Sequence, residues 1–210
     1  MSEALGKIEK PAAEDFKKGR KLYLVPLIFQ GRNPEPEYIE KFEKFWSQVE
    51  IQISDLELKL GDVNRVYHEL ISLSGESGVK TIKELNEKSC QVVEKRLAKG
   101  AQLEAAEETG ILTEFMDWTR CLAVGLENQK VFVAVYESYK EVSKKRNEYI
   151  SKHIDETLKA DEIGVLFIRE GHQIQFPSDI QVIYVSPPAL DEIERWLRDR
   201  HEHEAEPHKD

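Results

Sequence analysis

The sequence predicts an α/β fold, with a mainly parallel (mixed) sheet of about five strands and helices on both faces. Short apolar runs alternate with longer segments of helical periodicity, and helical connections of that kind join parallel strands. The clearest strand, Ile163 to Ile168, is apolar at nearly every position, which is typical of a strand covered on both faces. The clearest helix, Tyr38 to Leu60, places apolar residues three and four positions apart along its length.

The first predicted strand runs from Lys21 to Phe29, a short apolar segment rich in β-formers. Its Pro26 lacks the N–H that a ladder needs, which indicates that this strand lies at an edge of the sheet or carries a bulge. Gly61 follows the helix of Tyr38 to Leu60 as a favourable C-terminal cap. The next predicted elements are a strand over 63–68, a loop over 74–78, a helix over 81–99 and a strand over 101–106.

The second half of the chain is dominated by one long predicted helix, from about Gln129 to Leu158. A shorter helix over 113–126 precedes it, and strands over 163–168 and 181–185 follow it. Pro187 and Pro188 break the chain before a last helix. We therefore expect an N-terminal arm (1–19), one α/β domain (20–200) and a charged C-terminal tail without fixed structure (201–210).

Composition and charge exclude several classes of partner. The net charge of −10 repels phosphate backbones and anionic lipids, so neither nucleic acid nor a membrane is expected as a partner. No run approaches the roughly 18 apolar residues that cross a bilayer, and the start of the sequence lacks the basic and apolar regions of a signal peptide. Cys90 and Cys121 both fall in predicted helices and are expected to be reduced thiols. These features predict a cytoplasmic protein.

One residue of the long predicted helix departs from its apolar stripe. The inward positions Phe132, Val135, Tyr139 and Val142 are followed, at the same spacing, by Arg146. A buried guanidinium needs a carboxylate or a bound anion, because leaving it unpaired costs several kcal/mol. Arg146 therefore either belongs to a functional site, or pins the helix to an acidic neighbour, or reaches back to solvent.

Further polar side chains follow the predicted strands, where ligands collect in parallel α/β sheets. Glu107 and His172 could share a divalent metal or act as a base with its orienting partner, while a histidine bonded to loop backbone is the simpler alternative. The histidines of the C-terminal tail, His201, His203 and His208, are expected to bind metal only adventitiously. The remaining strand-end residues are Gln30, Arg32, Glu108, Arg169 and Glu170.

Familiar catalytic motifs are absent: the sequence contains no P-loop, dinucleotide-binding glycine motif, H-E-x-x-H or G-x-S-x-G pattern. Four shorter segments nevertheless form an ordered series. They are 24–29 (L-V-P-L-I-F), 100–107 (G-A-Q-L-E-A-A-E), 145–147 (K-R-N) and 167–172 (F-I-R-E-G-H).

This series resembles the TraB/TIKI group, to which erythromycin-esterase-like and ChaN-like proteins are related. The segments are similar, in order, to the group's L-G-T-I-H strand, its G-x-x-x-x-x-L-E element, its E-R-N triplet and its V-G-A-x-H strand. Phe29 stands where the first strand's histidine is expected, Lys145 replaces the glutamate of the triplet, and Arg169 replaces a glycine. The resemblance implies a mixed α/β fold with a divalent-metal site, and hydrolytic activity in some members.

Two functions follow. In the first, the protein is a divalent-metal-dependent hydrolase of peptidase or esterase type. His172 and Glu107 would hold Mn, Co or Zn, and Arg146 would stabilise an anionic intermediate. In the second, which the loss of the histidine at Phe29 favours, the protein is a non-enzymatic or weakly active binding or scaffold protein. The same three residues would then form a structural network or a pocket for a small anion or peptide.

The second reading also allows a homodimer. Exposed parts of the stripe between Ile39 and Leu60 would supply its surface.

Overall fold

The computed structural model of the chain describes residues 18–31 and 33–205. The strands are β1 (Arg20–Pro26), β2 (Arg65–His68), β3 (Gln102–Leu103), β4 (Ile163–Ile168) and β5 (Ile180–Tyr184). The helices are α1 (Pro36–Leu60), α2 (Gly75–Leu85), α3 (Glu87–Ala98), α4 (Thr109–Ala123), α5 (Gln129–Thr157) and α6 (Pro188–Ala205). The five strands form one sheet in the order β3-β2-β4-β1-β5, and every neighbouring pair is parallel. The predicted α/β class is confirmed.

The two faces of the sheet are covered by different helices. Along β1, Tyr23 and Val25 point to one face and Leu22 and Leu24 to the other, as the two-residue period of a strand requires. The first face packs against α1, α3 and α6 in the larger core. The second face packs against the C-terminal half of α5 in a smaller core. Apolar residues at nearly every position of β1 and β4 therefore reflect burial on both faces.

The prediction that β1 lies at an edge or carries a bulge is wrong, because β1 lies between β4 and β5. Pro26 is the last residue of the strand, and the register with β5 ends earlier, at Leu24 and Tyr184. The N–H of Val185 closes that ladder by donating to the Leu24 carbonyl over 2.8 Å. The missing N–H of Pro26 therefore falls where the pairing with β5 has already stopped.

The single helix predicted over 81–99 is two helices, and the loop predicted over 74–78 is wrong. Asn86 interrupts the helix with an extended backbone, accepts a hydrogen bond from the Ser89 N–H and so caps α3. α2 already begins at Gly75. Gly78 lies inside α2 and is needed for close packing, since a Cβ on Gly78 would lie 2.3 Å from the Leu73 carbonyl oxygen.

Most of the apolar stripe of α1 is buried, and Ile39, Leu56 and Leu60 are half-buried. Phe42, Trp46, Val49 and Ile53 all face the larger core, so the stripe leaves little of the homodimer surface that the sequence suggested. Among the described residues, no helix is long and apolar enough to cross a membrane. Of the two cysteines, Cys90 is buried and Cys121 is exposed, and both are free.

The remaining differences concern the ends of elements. β3 has only two residues where six were predicted, and α6 continues to Ala205, into the predicted tail. Most of the predicted N-terminal arm (1–17), the end of the tail (206–210), Arg32 and the side chains of 201–205 lie outside the described residues.

Candidate functional site

Arg146, the residue that departs from the stripe of α5, lies in a buried ion-pair cluster. Its Nε donates to Oε2 of Glu107 over 2.6 Å, and its second terminal nitrogen donates to Oε1 of Glu107 over 2.5 Å and to Oε1 of Glu69 over 3.0 Å. All three side chains are buried. Glu107 and Arg146, two of the three predicted site residues, are therefore brought together in the bidentate geometry that matches guanidinium to carboxylate.

Arg169 completes this cluster from the exposed side. Its backbone N–H donates to Oε2 of Glu69 over 2.8 Å, and its guanidinium donates to both carboxylate oxygens over 3.0 to 3.1 Å. The backbone N–H of Leu70 donates to Oε1 of Glu107 over 2.6 Å. We call Glu69, Glu107, Arg146 and Arg169 the ion-pair cluster; it contains two negative and two positive charges.

Parallel strands explain why these residues meet. Glu69 directly follows β2, Arg169 directly follows β4, and Glu107 lies shortly after β3. The carboxyl ends of parallel strands meet at one edge of a sheet, and these three strands are neighbours. Arg146 reaches this edge from α5, which lies across the second face.

Burial and charge oppose each other within the cluster. Burial works to raise the pKa of Glu69, but the hydrogen bonds and charge of Arg169, with the charge of Arg146, hold that pKa below its usual range. Burial likewise works to lower the pKa of Arg146, and the carboxylates of Glu107 and Glu69 raise it instead. The charged forms of Glu69 and Arg146 are therefore both stabilised by the neighbouring groups of opposite charge.

His172, the third predicted site residue, lies beside the cluster without joining it. Its ring packs edge-on against Phe176 with centroids 6.2 Å apart, and its Nδ1 is buried without a hydrogen-bond partner among the described residues. Burial lowers the pKa of His172, and the negative charge of Glu69 only partly opposes this. The imidazole is therefore neutral at pH 7.

The strand-end residues Glu108, Gln30 and Glu170 do not contribute to the ion-pair cluster. Glu108, the alternative to Glu107, caps α4 by accepting hydrogen bonds from the N–H groups of Gly110 and Ile111 over 2.9 and 2.7 Å. Gln30 and Glu170 are exposed. Phe29, which replaces the expected histidine, packs against the larger core.

The residues present do not fit a divalent-metal centre. Every carboxylate oxygen of Glu69 and Glu107 already accepts a hydrogen bond from an arginine. A metal ion would have to displace those guanidinium groups, and a hydrolytic metal needs about three protein ligands. Within residues 18–31 and 33–205, no group of three or more His, Cys, Asp and Glu side chains is arranged to hold a metal ion.

The ion-pair cluster forms the base of a helical hairpin. Glu107 lies just before α4 and Arg146 lies on α5, and these two helices pack against each other. The Arg146 guanidinium lies over the ring of Phe115 of α4, 4.5 Å from its centroid. From there an aromatic row continues outward along α5. Its ring centroids are 5.6 Å apart for Phe115–Tyr139, 6.5 Å for Tyr139–Tyr136 and 5.9 Å for Tyr136–Phe132.

The outer part of this α4–α5 hairpin leaves apolar side chains in solvent. Between residues 108 and 141 only Phe115 is buried. Of the ten large hydrophobic side chains that are exposed among the described residues, five lie between Val124 and Tyr136, with exposed fractions of 40% to 74%. We call these five the apolar patch; they are Val124, Val131, Phe132, Val133 and Tyr136.

Sequence reasoning missed Glu69 and the apolar patch, and its inward position for Phe132 is wrong, because that side chain is exposed. Glu69 directly follows a correctly predicted strand, so the rule that selected Glu107 and His172 could have selected it too. The apolar patch also left a signal, because Val131 to Tyr136 is a run of six apolar residues on a helix. A run that is apolar on every side of a helix indicates burial all round, which one domain face cannot provide.

The resemblance to the TraB/TIKI group rests on the short motifs alone and stays a prediction. No protein-family model matches the chain, and neither a curated protein nor a solved structure matches it.

Proposed function

We propose that this chain is a non-enzymatic binding scaffold that presents the α4–α5 hairpin to a protein partner. The observation that carries the proposal is that two of the three predicted site residues, Glu107 and Arg146, hold the base of an apolar hairpin. The carboxylates of the ion-pair cluster are hydrogen-bonded to arginines. The side chains of the apolar patch, farther out on the hairpin, are exposed to solvent.

The geometry of the hairpin supports this assignment. The first buried residue of α5 is Val142, so the 13 residues from Gln129 to Glu141 extend about 20 Å past the buried half at 1.5 Å per residue. The only buried residue of α4 is Phe115, which packs on Arg146. The cluster therefore holds the base of the hairpin, and the outer part is left with a concentration of exposed apolar side chains of the kind that marks interaction sites.

A metal-dependent hydrolase is the second candidate, and the unpartnered Nδ1 of His172 is the observation that favours it. It requires cation binding at His172 and Glu107 in place of Arg146.

The two free cysteines, one of them exposed, are consistent with the cytoplasmic location that the sequence predicts.

Metal titration separates these two functions. We expect zinc, manganese and cobalt, measured by calorimetry on the full chain, to bind equally to the wild type and to His172→Ala, since any sites in the tail are common to both. One equivalent of metal that disappears in His172→Ala would contradict the scaffold and restore the hydrolase.

Photo-crosslinking tests the scaffold directly. A photoreactive phenylalanine analogue at Phe132 should form discrete adducts with one protein in the producing cells, identified by mass spectrometry. The matched control places the analogue at Leu58, which is 86% exposed on α1. Adducts in equal amount at both positions, or at neither, would contradict a binding role for the hairpin.

A further inference from the structure

The apolar patch is flanked by a surface that carries little charge. From Cys121 to Tyr136 the charged residues are Glu127 and Lys130, so this segment has no net charge in a chain whose net charge is −10. Two copies of the chain repel each other over most of their surface at neutral pH. At the outer hairpin, two copies can approach each other without this electrostatic repulsion.

From this pattern we propose that the partner of the hairpin is a second copy of the chain, which pairs through the apolar patch in a symmetric four-helix arrangement. This inference rests on the proposed function and names its partner. Within one hairpin, each helix buries the side that faces the other helix. When a second hairpin packs against the first, each of the four helices buries a further side. The run Val131–Tyr136, apolar all round, needs cover of this kind.

The size of the patch agrees with a dimer interface. The five exposed side chains present on the order of 400 Å² of apolar surface per copy at typical side-chain areas. That is roughly half of the ~800 Å² that each partner buries in a standard interface, the rest being polar rim. Trp118, Leu122 and Leu126 are half-buried on the same outer hairpin.

The two charges near the tip are complementary under twofold symmetry. Glu127 and Lys130 have opposite signs, and neither forms an ion pair within the described part of the chain. In an isologous contact, residue i of one copy meets residue j of the other, and j meets i. A twofold axis at the tip would therefore let Glu127 meet Lys130 of the partner subunit twice.

A lipid surface fits these observations less well. Helices that lie on membranes carry a fringe of lysine and arginine on the polar face. The polar residues beside the patch instead include the mixed pairs Asp117–Arg120 and Glu137–Lys140, with N–O distances of 2.7 and 3.3 Å.

Sedimentation velocity of the full chain tests the dimer. We expect a concentration-dependent dimer for the wild type and a loss of at least hundredfold in dimer affinity for Val133→Glu, because an unpaired carboxylate would lie in the apolar centre. Leu58→Glu, which places the same charge on α1, should dimerise like the wild type. Circular dichroism of each variant should match the wild type and so exclude unfolding.

A charge swap makes the symmetry testable. Glu127→Lys and Lys130→Glu should each weaken the dimer by about tenfold, since each leaves two like charges facing, and the double variant should restore it. A wild type that stays monomeric at 100 μM while Phe132 crosslinks to a different protein would overturn the dimer and leave the scaffold intact. Patch-dependent sedimentation of a monomer with phosphatidylcholine vesicles would overturn both in favour of a membrane.

Discussion

The two halves of α5 differ although both are rich in apolar residues. In the half that packs on the sheet, Val142, Arg146, Ile150 and Ile154 are buried at four-residue spacing. In the outer half, the continuous apolar run Val131–Tyr136 contains no buried residue. The periodic half folds against its own domain, and the aperiodic half carries more apolar surface than one face of a fold can cover. The difference indicates that the outer half of α5 is the part of the helix on which a partner is expected to bind.

The largest expected change in stability comes from Arg146, which lies in the buried half of α5 and packs on Phe115 at the base of the hairpin. Arg146→Ala should lower the free energy of unfolding by about 3–5 kcal/mol, because it leaves Glu69 and Glu107 buried without their shared counterion. Urea unfolding followed by circular dichroism measures the change.

Arg120→Ala is the matched control, since Arg120 lies on the outer hairpin and pairs with Asp117 in solvent. It should change stability by no more than about 0.5 kcal/mol. Equal losses in the two variants would mean that the ion-pair cluster does not hold the base of the hairpin.

A second effect is expected from acid and acts through His68, the residue before Glu69, which contacts Ser89 of α3 and Phe167 in the larger core. His68 is buried, its Nδ1 donates to the Glu69 carbonyl over 2.7 Å, and its Nε2 lies 3.0 Å from the Ser89 hydroxyl. Burial lowers the pKa of His68 from 6.5 to about 4. Because the unfolded chain takes up this proton near pH 6.5 and the folded chain only near pH 4, stability is lost as the pH falls between these values.

The size of this loss follows from linkage. It is about 1.4 kcal/mol per pH unit, or about 3 kcal/mol over the whole interval. Urea unfolding at several pH values should show the slope in the wild type, and His68→Gln should reduce it to the contribution of His172, whose pKa burial also lowers. An identical slope in both would show that His68 is not the group responsible.

Much of the fold was predictable because it depends on local patterns. The stripe of α1 and the limits of α5 and β4 agree with the structure to within two residues. The failures involve long-range contacts. Asn86 ends α2 partly because its side chain donates to the Ile28 carbonyl over 2.8 Å, and no pattern around residue 86 contains that partner. Pro26 is tolerated in a central strand because of where β5 happens to end.

The candidate site was predictable to a similar degree. The spacing of α5 singled out Arg146 and left an ion pair with an acidic neighbour as one of three alternatives, and Glu107 is such a neighbour. The sequence could not reveal that Arg169 would also reach Glu69, since the order of the strands sets that contact. Nor could it reveal that the two carboxylates would have no free oxygen. Those arginine contacts, and not the identity of the residues, are what oppose metal binding by the two carboxylates.

The smallest expected effect compares the two halves of α5 with one substitution. Val142 and Val133 lie on the same helix, the first buried and the second about half exposed. Val142→Ala should cost about 2 kcal/mol, since it removes buried methyl groups and leaves a cavity. Val133→Ala should stay within about 0.5 kcal/mol in dilute monomeric protein, because alanine has the higher helix propensity and little packing is lost.

Concentration separates the two variants further. In urea unfolding at concentrations where the wild type dimerises, Val133→Ala should become destabilising while the cost of Val142→Ala stays the same. A cost for Val133→Ala that is large at every dilution would mean that the outer half is buried within its own chain. The apolar run would then belong to the core of the monomer, and the hairpin would have no surface left to offer a partner.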